Sequence, residues 1–347
     1  MVRKHALVLL GAMSVCIASG AAEVVEQQMP LPQGGKVNIR CASGTVKVET
    51  WDTPEVWVQA RVDNANTPLE ALRLTDDQTL QVRVTRQGGD KEVGANLLVR
   101  LPTEAIARVE TLSGDVVVDR HQQQLEVSTT SGDITAHFEG ERLLLKSLSG
   151  DIEVTGVSQH TDLSSTSGDI KGSLSGGSLR AETVSGDITL ETHLERAAFS
   201  ATSGDIRQRG TVGQATANTI SGDVSLQRVA DSADVFTSSG RIEVGLSGAR
   251  ELHAESISGH IQAKGPIAEN AVVELSSKSG RIDISLPHGT PARYNLRSFS
   301  GNVGAPGGTA SRAVKGRELV LDPGGVLASV TAQSFSGDVR VTHESAE

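Results

Sequence analysis

The stretch TVSGDITLETHLERAAFSATSGDI, residues 183–206, holds Ser185-Gly186-Asp187-Ile188 and, 18 residues later, Ser203-Gly204-Asp205-Ile206. Between the two steps, apolar and polar residues alternate. Working outward, the same step or a close variant stands at Ser113, Ser131, Ser149, Ser167, Ser221 and Ser239 at the same spacing, and then at Ser258, Ser279, Ser300 and Ser336. A short fixed period marks a stacked-coil architecture, because a unit this small buries its apolar face only against its neighbours.

Alignment on the step produces columns. Two residues after the glycine stand Ile134, Ile152, Ile170, Ile188, Ile206, Val224 and Ile242, a β-branched ladder suited to a core. Two further on come Ala136, Val154, Gly172, Leu190, Gln208, Leu226 and Val244, mostly apolar, with Thr135, Glu153, Lys171, Thr189, Arg207, Ser225 and Glu243 between the two columns. This period-two pattern predicts a strand with one buried face. Pairs such as Leu143 and Leu145, or Ala197 and Phe199, predict a second strand before each step, with a looser return such as Leu174 to Ser178 closing the coil. The fold class that follows is all-β, a parallel β-helix or β-solenoid with about 18 residues per coil. Parallel crossovers favour right-handed winding.

The corner glycines Gly114, Gly132, Gly150, Gly168, Gly186, Gly204, Gly222 and Gly240 form the structural turn motif, glycine being the residue that tolerates the positive φ such a corner often needs. Asp133, Asp151, Asp169, Asp187, Asp205 and Asp223 then form a carboxylate column. Two explanations offset its repulsion: each Asp accepts N–H bonds at its own turn, or calcium sits between coils. Turn capping is favoured, since Arg241, His260, Arg281 and Asn302 replace Asp in later coils. A dozen equivalent serines are a stacking feature and not an activated nucleophile. An ice-binding face built on Thr129, Thr183, Thr219 and Thr237 is interrupted by Ser147, Ser165 and Ala201. No catalytic residue, metal or cofactor is assigned.

Composition sets further bounds. Two Trp, one Tyr and five Phe leave the core to aliphatic residues. Arg3 and Lys4, the apolar run to Ile17 and Gly20-Ala21-Ala22 read as an export signal over 1–22. That run is too short to span a bilayer. Lipid anchoring through Cys16 is disfavoured by the poor lipoprotein box before it. Cleavage leaves Cys41 as the single thiol, so no internal disulfide forms. It also takes the formal charge from -10 to -12, which argues against nucleic acid as partner. The predicted organisation is an irregular N-terminal β region over 23–110, regular coils over 111–304, and a degenerate coil with a C-terminal cap over 305–347.

The runs GTVKVETWDTPEVWV (Gly44 to Val58) and NLLVRLP (Asn96 to Pro102), with the chain of SGDI and SGDV steps, resemble the bacterial putative-adhesin family over about residues 30–342. That resemblance implies an exported β-strand-repeat domain; the family supplies no catalytic residues to carry over. The expectation is a non-catalytic envelope scaffold, periplasmic or at the cell surface, with no membrane segment once the signal is removed. An envelope protein or a surface polysaccharide is its partner class, and no exposed aromatic cluster is evident. The alternative is a carbohydrate-active enzyme, a polysaccharide lyase or hydrolase, on the same scaffold.

Overall fold

The computed structural model describes residues 13–19, 22–63, 69–76, 79–86, 92–305, 314–315, 318–322 and 327–344. Among them the regular structure is all strand. Of the export-signal segment, 1–12 and 20–21 lie outside the described residues, whereas Met13–Ser19 pairs antiparallel with Ala22–Pro30. The glycine pairs at 307–308 and 324–325 also lie outside them.

Strand Ile188–Ser203 shows how one coil is made. Ile188, Leu190, Thr192 and Leu194 are buried, Glu195 and Arg196 are both exposed, and then Ala197, Phe199 and Ala201 are buried. Two successive outward residues shift the phase of the alternation, so one strand bends around the core and lines both of its sides. The looser return expected at this point is therefore part of the ladder: Glu191 pairs with Arg209, His193 with Thr211 and Leu194 with Val212. Coils on both sides offer partners to every backbone group there, and leaving those groups unpaired would cost more than bending the strand. Glycine serves the bend in places, as at Gly176, whose φ is 129°.

The chain forms two compact units, 1–140 and 141–347. In the second, parallel in-register pairing runs Ile152–Ile170–Ile188–Ile206–Val224–Ile242–Ile261–Ile282. Chain order then breaks. Ile282 pairs with Val339, and Val339 pairs on its other side with Val303. The segment assigned from sequence to a degenerate coil and cap thus contains a regular coil, Ala328–Ser334 with Val339–Glu344, inserted between the Ser279 and Ser300 coils. Outside it, Ala292–Ser298 pairs antiparallel with Glu318–Leu321, and Asn302–Gly304 with Val314–Lys315.

The first unit shows the same inversion. Lys36–Ser43 and Val46–Trp51 form a coil within the region read as irregular. On one side it pairs in parallel with Thr79–Arg86 and Asn96–Pro102, and on the other with Ile106–Ser113 and Val116–His121. Its outer edge is then closed by antiparallel strands: Glu55–Asp63 on Asn96–Pro102, and Ala22–Pro30 on Glu55–Asp63. Reversing direction at the margin covers ladder edges that would otherwise recruit other chains.

Candidate functional site

The repeated step is built by three contacts between successive coils. The first concerns glycine. None of the eight corner glycines adopts positive φ, contrary to the expectation from turn chemistry. Coil spacing requires glycine instead: a Cβ on Gly132, Gly168, Gly186, Gly204, Gly222 or Gly240 would lie well inside 3.0 Å of the carbonyl oxygen of the preceding corner glycine. In the first unit the outermost corner residue is Ala95, whose carbonyl faces Gly44.

The second contact uses the carboxylates. Asp151 Oδ1 accepts the Asp169 N–H at 2.8 Å, Asp169 that of Asp187 at 2.9 Å, Asp187 that of Asp205 at 2.9 Å, and Asp205 that of Asp223 at 2.8 Å. In the first unit Asp115 accepts from Asp133 at 3.1 Å. Each carboxylate therefore caps the next coil and not its own turn. Asp223 does the same for the Arg241 N–H at 2.7 Å, and His260 Nδ1 for that of Arg281 at 3.0 Å. The position needs an acceptor, which explains why an imidazole can replace a carboxylate. Repulsion along the column is offset further by Lys171 on Asp169 at 2.9 Å and by Arg207 on Asp205 at 2.5 Å. The Lys171 ammonium, followed by the Asp187 N–H, holds the Asp169 carboxyl below its ordinary range. Among the described residues no three His, Cys, Asp or Glu converge as a metal site.

The third contact was hidden in the proposed ice-binding column. Thr129, Ser165, Thr183, Thr219 and Thr237 are buried, so they present no face to ice. Ser165 Oγ donates to the Gly150 carbonyl at 3.2 Å, Thr183 to Gly168 at 3.2 Å, Thr219 to Gly204 at 3.3 Å and Thr237 to Gly222 at 3.2 Å. A buried hydroxyl needs a partner, and the corner carbonyl of the coil before supplies it.

What remains free for contact faces outward. In the second unit the residues just before each step stack as Leu148, Thr166, Val184, Thr202, Ile220, Ser238, Ile257 and Lys278, followed by Phe335 and Phe299. The two Phe rings lie 4.8 Å apart and 5° from parallel, at 61% and 72% exposure. This is an exposed aromatic cluster, which sequence reading missed. Both residues precede a Ser-Gly step, but only the inserted coil makes them neighbours. Beside them is a cleft of about 430 Å³ whose wall includes Lys278, Arg297, Glu318 and Gln333. A second groove of about 640 Å³ is lined by Ala198, Ala215 and Ala233 together with Arg196 and His253.

This repeat chemistry coincides with a sequence match to the family described as Toastrack DUF4097, over residues 35–209 and 176–342. The chain belongs to that family. The two Toastrack matches overlap over 176–209, and each takes in one of the inverted ends described above. Among solved structures, it is similar to a putative adhesin from Parabacteroides distasonis at 14% identity, over 92% of this chain and 97% of that one, with TM-score 0.38. A putative adhesin from Parabacteroides merdae matches at 11%, over 69% and 95%, with TM-score 0.37. A putative lipid binding protein from Parabacteroides distasonis matches at 13%, over 93% and 97%, with TM-score 0.30. At such scores none of their properties passes to this Toastrack chain. No curated protein matches it. Among the described residues no helix is long and apolar enough to cross a membrane.

Proposed function

We propose that this chain is an exported, non-catalytic scaffold of the cell envelope, periplasmic or at the cell surface, which works by contact along its outward columns. One observation carries the reading. The polar groups that recur in most coils, the Ser or Thr hydroxyl and the corner acceptor, are bonded to the neighbouring coil, the exceptions being Ala201, which has no hydroxyl, and Ser256, whose buried hydroxyl has no partner. The repeat therefore serves rigidity, and the side chains that vary from coil to coil are left to select a partner. Export is supported by the charged, apolar and small-residue order of residues 3–22. The partner class is an envelope protein or a surface polysaccharide.

Cell fractionation followed by co-purification tests this. The expected result is protein in the envelope or periplasmic fraction, retained with envelope material. A cytoplasmic location, or turnover of a polysaccharide that is abolished by replacing one or two Asp residues, overturns it.

A further inference from the structure

The geometry points to a saccharide subsite at the Phe299–Phe335 pair, selective for a sugar residue that carries one carboxylate. This deepens the proposed contact function and rests on it. Three observations in the second unit converge. The two rings are the large aromatic surface left open there, stacked at 4.8 Å and exposed at 72% and 61%. An aromatic face in water is matched by the apolar C–H face of a pyranose, whose rim of hydroxyls needs donors and acceptors alongside. Those stand in the adjoining cleft of about 430 Å³: the Gln333 amide, and the Arg297 guanidinium bound to Glu318 at 2.9 Å.

Charge decides the class of sugar. Arg297 and Glu318 neutralise each other, whereas Lys278, in the same cleft and next to Phe335 in the stack, is a cation left over. The corner column becomes less acidic in the same direction. It carries Asp at 151, 169, 187, 205 and 223, then Arg241, His260 and Arg281 in the coils leading to the aromatic pair, and Asp338 and Asn302 in the two coils that hold it, where Asn302 donates to Asp338. With Lys278 and Arg281 against the one carboxylate of Asp338, an anionic ligand is favoured at this end over the carboxylate column. The site therefore suits a single acidic residue or an acidic chain end better than a uniformly charged polymer.

Calorimetric titration of the full chain with cellobiouronic acid, against cellobiose as the neutral isostere, tests the assignment. The expected result is saturable binding of the acid, weaker binding of cellobiose, and weakening with added salt. Phe299→Ala should weaken binding about tenfold, and Lys278→Gln about threefold with loss of most salt dependence. Both side chains are exposed, so unchanged thermal unfolding checks that the variants fold. No binding of the acid, equal binding of the two sugars, or binding indifferent to Phe299→Ala overturns the subsite. The broader reading is separable. If wild type and a Phe299→Ala, Phe335→Ala variant are retained equally by envelope material, the subsite falls and the scaffold stands. If the acid binds through Phe299 but the protein is cytoplasmic, the scaffold reading falls.

Discussion

Gly204 and Gly304 are chemically identical and structurally opposite. A methyl on Gly204 would collide with the Gly186 backbone, whereas nothing lies within 4 Å of the same position on Gly304. Backbone cannot step aside as a flexible side chain can, so Gly204→Ala should destabilise the second unit by about 1–3 kcal/mol or more. Gly304→Ala should stay within about 0.5 kcal/mol. Urea unfolding of both variants checks the contrast. His121 offers a second residue-scale test. It is fully buried, 6.3 Å from the Phe138 ring, with Nε2 3.1 Å from the Gln124 carbonyl oxygen. Burial pushes its pKa down from 6.5 to about 4. Between those values the unfolded chain binds the proton and the folded chain does not, so stability falls as pH drops from about 6.5 to about 4. The loss amounts to roughly 3 kcal/mol, and nothing is lost from this group above pH 6.5. His121→Phe should remove that share of acid sensitivity, seen as a smaller difference between unfolding midpoints at pH 7 and pH 4.5.

At the scale of the strand, the corner acceptor joins one coil to the next through a single N–H. Asp223→Ala leaves the Arg241 N–H without that acceptor and should cost about 1 kcal/mol, moderated by solvent at this exposed corner. Asp223→Asn keeps an acceptor oxygen at the same place and should recover most of the loss. The pair separates hydrogen bonding from charge, which a single substitution cannot do. Added millimolar calcium should leave the thermal midpoint of the protein unchanged, since Asp151, Asp169, Asp187 and Asp205 each already spend Oδ1 on the next coil. A rise in midpoint with calcium would mean that cations, and not N–H groups, offset the column.

At the scale of the molecule, the inverted coil order at each end is the feature with most consequence. In the second unit Ala292–Ser298 does not rest on Ile267–Ser277; the strand Ala328–Ser334 stands between them. Deleting residues 327–347 should therefore strip hydrogen-exchange protection from 292–304 as well as from the exposed side of 267–287. A pile in chain order would lose only an outer coil and keep 292–304 protected. Peptide-resolved exchange distinguishes the two outcomes. The coil of Ala328–Ser334 and Val339–Glu344 is paired on both sides, which restrains its fraying.

Much of this was legible in the amino-acid order. The ladder from Ile152 to Ile282, the period, and the alternation that buries Leu190 and exposes Glu191 are local, because a strand sends successive side chains to opposite faces whatever lies next to it. The columns of corner glycines and aspartates were visible too, but their reasons were not. Spacing along the chain does not reveal that Gly204 is pressed by Gly186, that Asp187 caps Asp205, or that Thr183 turns inward to a carbonyl. Least legible was the order of the coils. Each presents the same edge of N–H and C=O groups, so any coil can pair with any other, and the 36-residue step from Ser300 to Ser336 is equally compatible with a skipped coil. Local alternation was enough to set the coil and which of its residues face in. Which coil lies on which, and with it the meeting of Phe299 and Phe335, was settled in the folded chain, because that choice is made between backbone edges that carry no side-chain code.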